Sequence, residues 1–204
     1  MKAKGIAAAA CALLITSISG CASSPPSDFF ILTPMAATAE KPAAGAPAES
    51  FSLGVGPIKV PEYLNRAQIV TRAGPNRLDV NEFHRWGGSF APNIARVVAQ
   101  NLSILLGSDE VFAFPSDDAT DPRYRVIISI TQFDGSLGGE VVLDARWIIT
   151  GSKRRAQLDA GRSLLREATR GGDYEDYVAA QSRALAALSR EIAAGIRRQL
   201  DTGG

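Results

Sequence analysis

Apolar and polar positions along this chain follow two periods in turn, and the change from one to the other marks out its elements. Alternation at Phe51, Leu53 and Val55, resumed at Ile58 and Val60, predicts a strand over 51–60 broken at Gly56-Pro57. Residues 67–72 and 77–83 predict two short strands, with Gly74-Pro75-Asn76 as the turn of a hairpin. The period then lengthens. Ile94, Val97, Val98, Asn101, Leu102 and Leu105 share one helical stripe, so a helix capped by Ser89 is expected to run to Leu106 and stop at Gly107.

A short strand over 111–114 ends at Pro115, and an acidic loop over 116–122 follows. Alternation returns through Tyr124, Val126, Ile128 and Ile130, and again through Val141, Leu143, Ala145, Trp147 and Ile149. This predicts a long hairpin joined over 134–139, with Gly138-Gly139 at its tip and Trp147 in the core. A weaker strand is expected near 163–168. The last element is a helix from 173 to about 200, striped by Tyr177, Val178, Leu185, Leu188, Ile192, Ile196 and Leu200. Asp173, Glu175 and Asp176 suit its positive end, and Arg197 and Arg198 its negative end. The fold class expected is α+β, a single mostly antiparallel sheet with two principal helices packed on it.

The first residues carry a different signal. Lys2 and Lys4 precede an apolar run over 5–18, which ends in Ile18-Ser19-Gly20-Cys21. A charged start, an apolar stretch and small residues before a cleavage point make a secretory signal, and the run is shorter than the ~20 residues that span a bilayer. The cysteine directly behind the small pair makes the pattern a bacterial lipobox, with cleavage between Gly20 and Cys21 and acylation of Cys21. Cys11 is removed with the signal, so no disulfide framework is possible. Three acyl chains, the number typical of a bacterial lipoprotein, anchor essentially permanently, because each buried methylene contributes about 0.8 kcal/mol. An aspartate behind the cysteine tends to retain enterobacterial lipoproteins at the inner membrane, so Ala22 points to the outer membrane.

From Ala22 to Ser50 the composition turns to Ala, Pro, Ser and Thr, too poor in apolar area to offset its ordering entropy, and reads as a tether. One island interrupts it. Asp28-Phe29-Phe30-Ile31-Leu32-Thr33-Pro34 is expected to dock on the folded part as an edge strand ended by Pro34. The whole chain is 46% hydrophobic, ordinary globular material, and the residues after the tether make one core. The organisation expected is a lipoprotein signal peptide over 1–20, the lipidated cysteine and tether over 21–50, and one domain over 51–204.

Candidate chemistry is sparse. The chain holds 22 basic and 21 acidic side chains, which leaves no electrostatic footprint for nucleic acid. His84 is the one histidine, and its neighbours Arg85 and Trp86 favour packing or hydrogen bonding over a catalytic base. The loop Asp117-Asp118-Ala119-Thr120-Asp121 lacks the glycine and distal glutamate of a calcium loop. Gly54-Val55-Gly56-Pro57 lacks the third glycine and the following helix of a dinucleotide fingerprint. No catalytic residue, metal ligand or cofactor is assigned.

Several blocks together carry a family resemblance. Val55-Gly56-Pro57-Ile58-Lys59-Val60-Pro61-Glu62-Tyr63-Leu64-Asn65-Arg66, with Gln68-Ile69-Val70-Thr71-Arg72 behind it, resembles the PqiC-type auxiliary lipoproteins of bacterial lipid transporters. Phe29-Phe30-Ile31-Leu32 is similar to that family's Y-Y-x-L block, with phenylalanine for both tyrosines. Arg85-Trp86 followed by Phe90 is similar to its R-W-A-x-P-L block, with Gly87 and Gly88 where alanine and an acid are usual. The strands at 124–126 and 145–147 and the helix over 182–196 continue the match.

The resemblance implies an auxiliary subunit, without catalytic activity, of a lipid transport system built around an MCE (mammalian cell entry) domain protein and supporting membrane integrity. Its partners would be the MCE-domain periplasmic tunnel protein and its inner-membrane permease. The lipoprotein would assemble as a homo-oligomeric ring at the outer membrane and receive the tunnel tip. Pro61, Tyr63, Leu64 and Arg66, in a loop between strands, are the residues expected to face a neighbouring subunit or the tunnel; equally open is that this loop only buttresses the core. The rival reading is a stand-alone lipoprotein that binds lipid or peptidoglycan. A hydrolase using a serine with His84 is the remotest.

Overall fold

The structure, a computed structural model, describes residues 26–36, 51–115, 121–151 and 156–202. The signal peptide, Cys21 and most of the tether lie outside these residues. Strand β1 (Asp28–Phe30) is followed by β2 (Leu53–Lys59), a 3-10 turn (Glu62–Leu64), β3 (Gln68–Gly74) and β4 (Arg77–Trp86). Helix α1 (Phe90–Leu106) leads to β5 (Val111–Ala113), β6 (Tyr124–Gly135), β7 (Glu140–Gly151), β8 (Gln157–Ala168) and helix α2 (Tyr174–Thr202).

These strands do not form the single, mostly antiparallel sheet expected from the sequence. They form a three-stranded sheet in the order β1-β4-β3 and a five-stranded sheet in the order β5-β2-β6-β7-β8. Both are mixed, because β1 runs parallel to β4 and β2 runs parallel to both β5 and β6. Alternation reveals strands and their faces but not the direction of their neighbours. The two hairpins that were legible, β3–β4 and β6–β7, are indeed antiparallel. The parallel pairs of the large sheet arise because the chain between β2 and β5 contains α1, and a crossover of that length returns the chain in the same direction. Leu53, Gly54, Val55 and Gly56 are all buried, the mark of a central strand covered on both faces.

At Gly56 the φ is +137°, and a Cβ there would collide with the backbone carbonyl oxygen of Phe114. Only glycine permits this approach of β2 to the residues after β5. The expected break at Gly56-Pro57 appears as a register shift between Val55 and Ile58, and the strand continues through it.

The helices cover the large sheet side by side, α1 over β2 and β5, and α2 over β7 and β8. Their stripes behave as read: Ile94, Val97, Val98 and Leu102 on α1, and Tyr177, Leu185, Leu188, Ile192 and Ile196 on α2, are fully buried. Ser89 takes the N-cap position of α1 but makes no side-chain cap hydrogen bond, whereas Gly107 stops the helix in the left-handed conformation as expected. Asp173 caps α2 by accepting from the Asp176 amide at 2.8 Å. Arg197 and Arg198 reach sideways instead of along the helix axis, donating to the Leu105 carbonyl and to Asp159.

Strand β8 is twice the expected length. It lies at the edge of the large sheet, and exposed polar residues along it hide its periodicity. The apolar island before the tether does dock as an edge strand, β1, although the strand itself ends at Phe30, ahead of Pro34. The residues behind it are bound by both helices, through Arg96 and Asn101 on α1 and Ser182 on α2. Arg96 donates to the Leu32 carbonyl at 2.8 Å, Ser182 Oγ accepts from the Thr33 amide at 3.1 Å, and Asn101 Oδ1 accepts from the Met35 amide at 2.8 Å.

Candidate functional site

The loop between β2 and β3 is where sequence placed the candidate contact residues, and a short 3-10 turn gives it its shape. The Leu64 and Asn65 amides donate to the Pro61 and Glu62 carbonyls, each at 3.0 Å. This rotates Leu64 into the core, where it is 3% exposed. Tyr63 also turns inward: its phenol donates to Asp134 Oδ2 at 2.6 Å. Pro61 is half-buried and Arg66 is exposed, so of the four these two reach the outer surface of the loop, together with the exposed Glu62 and Asn65.

Asp134 is the centre of a polar node that sequence reading missed. Its side chain is fully buried, and Arg72 binds it twice, Nε to Oδ1 at 2.9 Å and Nη2 to Oδ2 at 2.7 Å. Gln132 Nε2 adds a fourth bond at 2.9 Å. Burial alone would favour the neutral acid, but the hydrogen bonds from Arg72, Tyr63 and Gln132 outweigh it and hold the carboxyl below the usual carboxylate range. Burial first, then the bond to Asp134, push the Tyr63 phenol well above its ordinary value. Arg72 stands on β3 and Asp134 on β6, so the node ties the small sheet to the large one. The sequence signal was masked by a register shift between Ile130 and Gln132, which resets the alternation before Phe133 and Asp134.

Beside the loop, Asn65, Arg66, Ala67, Trp86, Ser89 and Phe90 line an open cleft of ≈ 410 Å³. Trp86 stacks on Phe90 at 4.7 Å, which makes the floor of the cleft aromatic and rigid.

His84 serves as packing surface. Its ring stacks on Tyr174 at 4.0 Å with 14° between planes, and Phe30 lies 5.9 Å away on β1. Its Nε2 is 3.5 Å from Asp28 Oδ2, while Nδ1 is buried without a hydrogen-bond partner. Among the described residues no group of three or more His, Cys, Asp or Glu side chains is placed to hold a metal. Among them, too, no helix is long and apolar enough to cross a membrane.

A family described as the ABC-type transport auxiliary lipoprotein component matches residues 30–193, from the end of β1 to deep in α2. The chain belongs to this family. Two solved structures share the fold of this auxiliary lipoprotein. One, described as an uncharacterized protein, is 17% identical with a TM-score of 0.68, covering 84% of this chain and 99% of its own. The other, protein XCC0632 of the family DUF330 from Xanthomonas campestris, is 16% identical with a TM-score of 0.67, covering 87% of this chain and 100% of its own. No protein of curated function matches. The expected cleavage and acylation positions of the auxiliary lipoprotein, Gly20 and Cys21, lie outside the described residues.

Proposed function

We propose that this auxiliary lipoprotein is cleaved behind Gly20, acylated on Cys21 and held on the periplasmic face of the outer membrane as a subunit of an MCE-type intermembrane lipid transport system. The observation that carries this reading is the family match over 30–193, standing directly behind the Ile18-Ser19-Gly20-Cys21 motif. Ala22 supports the outer membrane as its address. In this role the chain assembles as a homo-oligomeric ring and receives the tip of the MCE-domain tunnel, whose other end meets the inner-membrane permease. It binds and positions; it performs no chemistry.

The loop after β2 is the proposed contact surface. Tyr63 and Leu64 fasten it from within, so Pro61 and Arg66 are presented on a backbone with little freedom left to lose on binding. Membrane fractionation tests the location. Wild-type protein is expected in the outer-membrane fraction, and the same domain exported behind an ordinary cleavable secretory signal without Cys21 in the soluble periplasmic fraction. Wild-type protein in the inner-membrane fraction would overturn the proposed address.

A further inference from the structure

The small sheet exposes apolar side chains that its own fold does not use. Phe29 is 67% exposed, Ile31 57% and Phe83 38%, on a sheet whose opposite face carries the buried Trp86 and the His84–Tyr174 stack. Phe29 on β1 pairs with Arg85 in parallel register and shares the outward face with Phe83 and Arg85 on β4, and Ile31, just past the end of β1, is exposed beside them. Next to them, the exposed Ala179 of α2, with the buried Val178 behind it, lines a cleft of ≈ 420 Å³ shared with Phe29 and Ile31.

Chain length says what lies opposite. Cys21 is eight residues ahead of Phe29, and eight residues fully extended span at most about 28 Å. Docking of β1 therefore means that the long Ala- and Pro-rich stretch after residue 36 does not separate the domain from its anchor. Only the residues between Cys21 and β1 do. A lipid carried on Cys21 brings the bilayer surface within reach of β1 and hence of the exposed phenylalanines.

We infer that Phe29, Ile31 and Phe83 insert into the interfacial region of the same membrane that holds the acyl anchor, seating the domain on the bilayer by its small sheet. This rests on Cys21 being the acylated residue, as in the proposed function. The contact is apolar: Arg85 on one flank and Glu175 on the other offset each other, so neither anionic lipid nor low salt is required. Side chains of this kind bury about 5–10 Å into the headgroup boundary.

Tryptophan fluorescence tests it, because the native Trp86 and Trp147 are each 5% exposed and shielded from lipid. Full-length acylated protein carrying Phe29→Trp, and separately Phe83→Trp, is reconstituted in phosphatidylcholine vesicles with and without brominated acyl chains. Intact mass of each preparation reports acylation at Cys21. The expected result is a blue-shifted added emission that brominated lipid quenches, unchanged at high salt. Acylated, vesicle-bound protein whose added emission is not quenched at either position would overturn the membrane contact and leave the lipoprotein reading intact. A blue shift without quenching would assign the patch to a protein contact, with the same consequence. A mass without acyl groups would overturn the anchoring reading, and the inference with it.

Discussion

Tyr63 and Asp134 stand 71 residues apart in sequence and 2.6 Å apart in space, phenol to carboxylate. That bond pins the loop after β2 to the far end of β6, and Arg72 completes the junction from the small sheet. Removing one member shows how much the junction carries. Asp134→Ala leaves Arg72 and Tyr63 without their acceptor. Because the Arg72 side chain is 31% exposed, water partly compensates, and the expected loss is about 2–3 kcal/mol by urea unfolding. Tyr63→Phe is expected to cost about 1 kcal/mol. The double variant should cost less than the two losses added.

The same node makes stability acid-sensitive. The Asp134 carboxyl is held below the usual carboxylate range in the folded chain, so its contribution is fully present above the unfolded value, about 3.9, and is lost as pH falls through the lower folded value. Unfolding free energy of the wild type should therefore fall more steeply below about pH 4 than that of Asp134→Asn. Tyr63 acts on the other side: its raised value makes stability decline as pH rises above about 10, and Tyr63→Phe should flatten that limb.

Gly161 on β8 lies against the indole of Trp147, where any Cβ would overlap the ring. Trp147 is held in place, since its Nε1–H donates to the Ser163 hydroxyl at 3.1 Å. Gly161→Ala is expected to lower stability by about 1–3 kcal/mol, read as a lower melting temperature. An unchanged melt would mean that the edge strand moves aside freely.

Asn101 is fully buried between the helices and holds both Ser189 and the Met35 amide. Asn101→Ala should cost about 1–2 kcal/mol and raise hydrogen exchange at Met35 well before exchange rises in the large sheet. Exchange rising everywhere together would show that the entering segment is no separate unit.

The helices are legible because their 3.6-residue stripes are long and clean; the large side chains of the α2 stripe from Tyr177 to Ile196 stand out, whereas the buried Tyr174, Ala180, Ala184 and Ala193 do not. The two hairpins were legible for the same reason at period two. Parallel pairing was not, since β2 acquires its neighbours β5 and β6 only after α1 has crossed the sheet. β8 was half hidden because one face of an edge strand meets water. In the candidate site, Pro61, Tyr63, Leu64 and Arg66 read as a loop, but Leu64 and Tyr63 face inward, and of the four only Pro61 and Arg66 reach its surface, beside the exposed Glu62 and Asn65. Asp134 falls in the stretch that reads as a turn, because the irregularity after Ile130 hides the inward direction of its carboxylate.

Arg66 separates contact from stability. It is exposed, so Arg66→Glu should change unfolding free energy by no more than about 0.5 kcal/mol, yet reverse the charge of the proposed docking surface. Reduced recovery of partner with an unchanged melt is expected. Full recovery would move the contact away from this loop.

Docking of a lipid conduit, the role proposed for this auxiliary lipoprotein, is tested most directly by co-purification from solubilised envelope followed by native mass measurement. The tagged chain is expected to elute as a homo-oligomer together with an MCE-domain protein. A lone monomer, found in mild detergent and again after crosslinking, would contradict it and favour a self-contained lipoprotein that binds lipid or peptidoglycan.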